Sequence, residues 1–346
     1  MPVGIRQTIA DCLMKQLFKP EDIERKVILI LKILNESPEP VGARVIARKM
    51  SEQNVQLCER AVRYHLKLMD ERGLTKLIGR RDGRIITSLG QDEINNARVQ
   101  DKIGLSISRI DVLSFKTTFN LKKMRGLTPV NISFFPQEQF KKALVAMKPV
   151  FKKNLAVSSR VAVAPAGKKL GEIVVPEGKV GLATVCSILI NGVLLKQGIP
   201  IDSKFGGILQ VRNSDTLRFV ELIHYSGSSL DPSEIFIRGK MTSVGQVVEK
   251  GEGKILANFR EIPALSRNLV EDIVGILAKA GINGVLSIGS AGNPVGQTNV
   301  DLNKVGMILI GGLNPVAKAH EEGFDVDNKA MSTVMEFEGM QSIDEL

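Results

Sequence analysis

Tryptophan is absent from this 346-residue chain, and tyrosine occurs only twice, cysteine three times and histidine three times. Cysteines as scattered as Cys12, Cys58 and Cys186 exclude a disulfide framework and a C-x-x-C zinc site. His65, His224 and His320 do not stand at metal-ligand spacing, so no metal centre is expected. No apolar run approaches the roughly 18 residues that a membrane span needs. The first twenty residues mix charged and apolar positions, without the compact apolar stretch of a signal peptide. The expectation is a soluble, cytoplasmic protein with no membrane partner.

What is plentiful is positive charge, and it is unevenly placed. The formal net charge is +10; residues 1–160 hold +14 and residues 161–346 hold −4. A basic front and a mildly acidic rear suggest that one part meets a polyanion and the other does different work. The length allows two or three domains.

Residues 21–36 repeat apolar positions at helical spacing (Ile23, Val27, Ile30, Leu31, Leu34), with Glu21, Asp22 and Glu24 at the positive end of the helix dipole. Residues 37–40 break this helix. Residues 42–50 predict a short second helix that buries Val45, Ile46 and Met50, and a polar turn leads to a third over about 57–71, ended by Gly73. On the third helix Val62, Leu66 and Met69 share a core face, while Arg60, Arg63, Tyr64 and Lys67 project the other way. Such a face suits the major groove, where Arg forks to guanine and Lys meets phosphate. Two apolar strands then flank Gly79-Arg80-Arg81-Asp82-Gly83, a hairpin signal. Arg80, Arg81 and Arg84 are expected to touch the DNA backbone from this basic wing. Together with the exit helix marked by Thr87, Gly90 and Glu93, the segment resembles prokaryotic winged helix-turn-helix repressors. A winged helix making only protein contacts is the competing reading.

Behind residue 128 the chain repeats itself. A shift of 125 positions pairs Ala166-Gly167 with Ala291-Gly292, Gly171 with Gly296, and Lys179-Val180-Gly181 with Lys304-Val305-Gly306. Each copy reads as strand, helix, strand, Gly-rich turn and strand: 130–135, 137–153 and 159–164 in the first, 255–259, 266–280 and 284–288 in the second. The predicted class is mixed α/β (α+β), with a winged helix-turn-helix followed by a two-lobed regulatory domain. The expected boundaries are an extension at 1–19, the winged helix at 20–95, a helical connector at 96–127, and lobes at about 128–252 and 253–346. Two like lobes enclose a cleft, a common home for a small ligand.

The Gly-rich turns match neither the phosphate loop nor the dinucleotide fingerprint. Residues 182–190 read as a buried strand carrying Thr184, Val185 and Cys186. Using Cys186 as a nucleophile would make the rear a metabolite-processing enzyme, but no base is placed for it, and an enzyme is not expected. Polar residues beside the Gly-rich turns, Thr184, Cys186, Ser290, Asn293 and Asn314, with Lys196 supplying charge, are the expected effector contacts.

The stretches GLATVCSILINGVLLKQGIPIDSKFGG and VGMILIGGLNPVAKAHEEGFDVDNKAMSTVMEF resemble the regulatory domain of archaeal nitrogen-regulation repressors of the NrpR type. The resemblance implies a homodimer on an inverted-repeat operator of double-stranded DNA, repressing nitrogen-assimilation genes. It also implies 2-oxoglutarate as an effector that weakens DNA binding, no cofactor, and a possible second regulatory protein of the same family as partner. A regulator responding to another metabolite, such as an amino acid, is the alternative.

Overall fold

A computed structural model of the chain describes residues 20–53, 55–79, 82–96 and 104–346. They form two compact units that divide between Ile103 and Gly104. The first unit holds α1 (Pro20–Asn35), α2 (Ala43–Glu52), α3 (Glu59–Glu71), β1 (Thr75–Gly79), β2 (Gly83–Ile86) and α4 (Ser88–Asn96). Val27, Ile30, Leu31 and Leu34 of α1 are buried as their spacing predicts, but so are Ile28, Leu29 and Ile33. The burial is nearly circumferential because α2, α4 and β2 all pack on α1. Each such fully buried side chain contributes roughly 1.5–3 kcal/mol. Val45, expected in the core, is instead exposed, since α2 turns only Ile46 and Met50 inward.

Gly73 ends α3 with φ +74°, and Leu74 N–H donates to Met69 O at 2.9 Å, a left-handed stop that favours glycine. Strands β1 and β2 pair antiparallel, and the backbone of Val41 bonds to Arg84 on the far side of β2. A Cβ on Gly83 would lie 2.4 Å from Val41 O, so only glycine lets β2 pass that close. The exit motif also has a physical account. Thr87 Oγ1 donates to Gly73 O at 2.7 Å and accepts from Gly90 N–H at 3.1 Å, while Glu93 pairs with Arg72 at 3.3 Å.

The second unit runs through α5 (Leu105–Lys116), β3 (Leu127–Pro136), α6 (Gln137–Lys152), β4 (Arg160–Pro165), β5 (Lys169–Leu170), β6 (Ile173–Val174), β7 (Lys179–Val185), α7 (Ile188–Lys196), β8 (Asp202–Arg212) and β9 (Asp215–His224). It continues through α8 (Pro232–Arg238), α9 (Val244–Lys250), β10 (Gly253–Pro263), α10 (Arg267–Lys279), β11 (Val285–Ile288), β12 (Lys304–Ile310), α11 (Asn314–Glu321), β13 (Asp327–Glu336) and β14 (Gln341–Ser342). The repeat is visible in the backbone: Gly167 and Gly292 have φ +76° and +66°, and Gly171 and Gly296 have φ +58° and +54°.

Two five-stranded antiparallel sheets result, in the orders β13-β3-β7-β4-β14 and β11-β12-β10-β8-β9. This corrects the expected lobe boundaries at 128–252 and 253–346. Strand β8, from the first copy, pairs with β10 of the second, and β13, from the second, pairs with β3 of the first. Each sheet therefore takes two strands from the other copy, β13 and β14 in the first and β8 and β9 in the second. The exchange covers the open edge that each copy's leading strand would otherwise present to solvent.

Two further expectations are corrected. Of the connector, residues 97–103 lie outside those described, but α5 belongs to the core of the second unit, with Ile110 and Leu113 buried. Its apolar stripe has this sheet to cover. The segment 182–190 is not one strand: β7 ends at Val185, Cys186 and Ser187 turn the chain, and α7 begins.

Candidate functional site

On α3 the residues expected to read DNA share one open face. Arg63 and Lys67 side chains are 68% and 75% exposed, Tyr64 is 64% exposed, and Arg60 is exposed beside them. Arg63 pairs with Glu59 one turn back, and Lys67 lies 3.9 Å from Glu71. Such exposed pairs are weak, so both cations are available to phosphate or base edges. Arg44 and Arg48 of α2 are exposed as well. Sequence reasoning passed over both, although their i, i+4 spacing outside the apolar positions marks a solvent face.

Arg80 and Arg81 lie outside the described residues. Arg84 is not free at a wing tip. Its Nε donates to Asp70 Oδ2 at 2.7 Å and its side chain is 18% exposed, so it clamps β2 to α3. It lies in the paired part of β2, where an acceptor from α3 claims its Nε.

The second unit contains a polar cavity of about 20 Å³, space for one or two waters. Its wall brings together Asn131 of β3, Cys186 and Ser187 before α7, Tyr225 and Asp231 near α8, Asn258 and Arg260 of β10, Gly312 and Leu313 before α11, and Met331 of β13. Both copies contribute, and the starts of α7 and α11 meet here across the duplication. Backbone N–H groups at helix starts attract anions.

Arg260 is the dominant charge. It is 1% exposed, and its Nη1 and Nη2 donate to the hydroxyls of Ser203 and Ser187, the latter at 3.2 Å. Its Nε has no partner, and no carboxylate of the described residues pairs with it. Asn258 Nδ2 also donates to Ser187 Oγ at 3.2 Å, and Tyr225 Oη donates to Asn258 Oδ1. Burial lowers the affinity of Arg260 for its proton and raises the pKa values of Tyr225 and Asp231. Asp231 caps α8, accepting from the N–H groups of Ser233 and Glu234 at 2.8 and 3.3 Å.

Of the expected effector contacts only Cys186 lines this cavity. Burial pushes its thiol up to about 11, so at neutral pH it is no nucleophile. Thr184 Oγ1 donates to Gly312 O at 3.1 Å, a structural tie between the copies. Asn314 is fully buried and spends its amide on Leu256, accepting from its N–H at 2.8 Å and donating to its O at 3.0 Å. Lys196 sits in the last turn of α7, away from the cavity, with Nζ 3.2 Å from Phe115 O. Ser290 and Asn293 are exposed in the second Gly-rich turn. These five residues lie outside the cavity lining for one physical reason: polar side chains beside tight turns satisfy backbone groups or face solvent.

Arg260, Ser187, Ser203, Asn258 and Tyr225 were not expected. A signal for Arg260 exists, because the 125-residue shift sets this charged residue against Phe135. A charge at a buried strand position, where the repeat has phenylalanine, marks a place that packing alone does not explain.

Comparison with known proteins agrees with this architecture. The family model described as NrpR regulatory domains NRD1 and 2 matches residues 103–342, and that of the ribonuclease R winged-helix domain matches residues 28–94. The chain is 39% identical over 321 residues to the global nitrogen regulator NrpRI of Methanosarcina mazei, covering 93% of this chain and 98% of that one. It is 33% identical over 322 residues to the global nitrogen regulator NrpR of Methanocaldococcus jannaschii, covering 93% of this chain but 56% of that longer protein. A crystal structure of a nitrogen repressor-like protein from Methanococcus jannaschii superposes with a TM-score of 0.59 at 27% identity, covering 70% of this chain and 99% of the other. With its regulatory unit matched almost end to end and its winged helix in front, the chain belongs to the NrpR family of global nitrogen regulators.

Proposed function

We propose that this chain is a DNA-binding transcriptional repressor of nitrogen-assimilation genes whose DNA affinity falls when 2-oxoglutarate occupies the cavity of the regulatory unit. The observation that carries the DNA-binding half is the open face of α3, where Arg60, Arg63, Tyr64 and Lys67 stand together on a winged helix. A homodimer would set two such helices in successive major grooves of an inverted repeat. The effector half is supported by a polar cavity whose wall holds the buried Arg260 guanidinium, its Nε without a hydrogen-bond partner, together with the carboxylate of Asp231. No helix among the described residues is long and apolar enough to cross a membrane.

The cavity is too small for a five-carbon dicarboxylate, so entry requires its walls to part. Binding is then coupled to a displacement of the two sheets. An effector that prefers the DNA-incompetent state a hundredfold supplies about 2.7 kcal/mol of bias. Asp231 in the same wall favours a second reading, in which the ligand is a zwitterionic amino acid with its ammonium on Asp231 and its carboxylate on Arg260.

The test is operator binding by the purified chain at several fixed salt concentrations, with and without ligand. Specific binding should weaken with 2-oxoglutarate and not with succinate; weakening by an amino acid alone selects the second reading. Arg60→Ala and Lys67→Ala should each weaken binding, with the salt slope falling by about 1 for a lost phosphate contact. If both variants bind like the parent, α3 is not the reading helix. If specific binding ignores both ligands, the effector reading fails or a second regulatory protein is required.

A further inference from the structure

We propose that α6 of the second unit is a further, sequence-independent DNA contact, with Lys141, Lys142, Lys148 and Lys152 meeting phosphates of the duplex beyond the operator. The proposal rests on reading the chain as a DNA-binding regulator and adds a contact that the winged helix does not make. Residues 137–153 carry five lysines and one acid, Glu138. Phe140, Leu144, Met147, Val150 and Phe151 turn inward, which leaves Lys141, Lys142, Val145, Lys152 and Lys153 exposed and Lys148 half-buried. Lys141, Val145, Lys148 and Lys152 recur at helical spacing and form one row. At 1.5 Å per residue the row is about 16 Å long, a length over which duplex DNA presents about ten phosphate charges.

None of these five lysines forms an ion pair among the described residues. Cations on other helices do: Arg63 pairs with Glu59 on α3, Arg267 with Glu271 on α10, and Lys318 of α11 with Glu322. A merely solvated face ordinarily mixes both signs. The helix dipole accounts for Lys152 and Lys153 at the last turn, but not for Lys141, Lys142 and Lys148. The duplication sharpens the contrast. Under the 125-residue shift Val145, Lys148 and Lys152 answer to Val270, Ile273 and Leu277 of α10, all buried. Residues 267–279 carry two bases and two acids. One copy packs this face against the core; the other opens it and lines it with lysine. Lysine, a flexible point charge, suits phosphate rather than base edges.

Operator binding by the full chain without effector, measured over a series of salt concentrations, tests this on two duplexes. One ends at the operator and the other continues beyond it on both sides. For the parent, log affinity should fall more steeply with log salt on the longer duplex. Joint Lys141→Gln, Lys148→Gln and Lys152→Gln replacement should remove that excess, the slope falling by about 1 for each lysine that meets a phosphate. The slope on the shorter duplex and the melting temperature should stay as in the parent. On the longer duplex the loss should be the same factor for operator and scrambled sequence, because phosphates carry no sequence information. Arginine at the same three positions keeps the charge and should keep the slope. Lys141→Gln with Lys142→Gln carries the test if the triple variant does not fold. Equal slopes for the parent on the two duplexes, or for parent and variant on the longer one, overturn the proposal and leave the winged helix as the DNA contact. Parental slopes in a variant that loses the parent's binding to polyglutamate would also overturn it and assign the face to an acidic protein. No operator binding by the parent on either duplex overturns the DNA-binding reading itself, and this surface with it.

Discussion

Arg84 Nε and Asp70 Oδ2, 2.7 Å apart, join the second strand of the wing to α3, the helix that carries the exposed basic face. Asp70 also accepts from Thr75 Oγ1 at 2.6 Å, so one carboxylate organises the end of α3, the start of β1 and the middle of β2. The pair is partly buried, at 18% and 27% side-chain exposure. It is therefore not the freely screened surface pair whose contribution is usually negligible.

Replacing Arg84 with Ala should lower the stability of the winged helix by about 1–3 kcal/mol, the usual range for a lost hydrogen bond to a charged group that leaves its partner stranded. Asp70→Asn should cost less, because an amide oxygen still accepts. Chemical denaturation followed by helical circular dichroism measures both. An Arg84→Ala chain with unchanged stability but weakened DNA binding would restore Arg84 to the role its sequence position first suggested.

A second prediction concerns pH. His65 lies on the core face of α3, 9% exposed, with Nδ1 lacking a partner. Burial, and then the neighbouring Lys26, hold its pKa below the ordinary 6.5. The folded unit thus keeps the imidazole neutral where the unfolded chain already binds a proton. The contribution is fully present above about pH 6.5 and is lost as pH falls from there towards the folded pKa, at no more than about 1.4 kcal/mol per pH unit. His65→Leu should flatten this part of the stability profile. Equal slopes for parent and variant between pH 6.5 and 5 would show that other groups set the acid sensitivity.

How much of this was legible in the sequence follows from what each residue's neighbours are. The winged helix was readable because its signals are local: apolar spacing along α1 and α3, the stop at Gly73, and the Thr87, Gly90 and Glu93 exit, each satisfied within a few turns of chain. The duplication was readable because identical glycines recur in one register. Strand exchange was not, since pairing of β8 with β10 and of β13 with β3 depends on which edge is open in three dimensions, and period-two patterns carry no partner label. The lining of the cavity was not legible for a related reason. Asn314 and Thr184 look like free polar groups in a list of residues, but the backbone of Leu256 and Gly312 claims them. Arg260 looks like a strand interruption until its burial in the cavity wall is seen.

The exchanged strands carry the last prediction. Cut between the copies near residue 252, the first fragment keeps β3, β7 and β4 but loses β13, exposing the edge of β3 along the pairing from Asp327 with Phe134 to Glu336 with Leu127. The same fragment keeps β8 and β9 as a hairpin with no sheet to join, and an isolated two-stranded hairpin is marginal in water. The second fragment loses the strand that pairs with β10 from Asp202 to Val211. Neither piece should fold alone, and the two mixed together should recover the native far-ultraviolet spectrum, because every exchanged strand then finds its edge. For the same reason, residues 104–346 should unfold in one transition without an intermediate holding one sheet. Two well-separated transitions, or a folded fragment 104–252, would mean that each sheet is stable without the strand it borrows and that the copies are independent lobes after all.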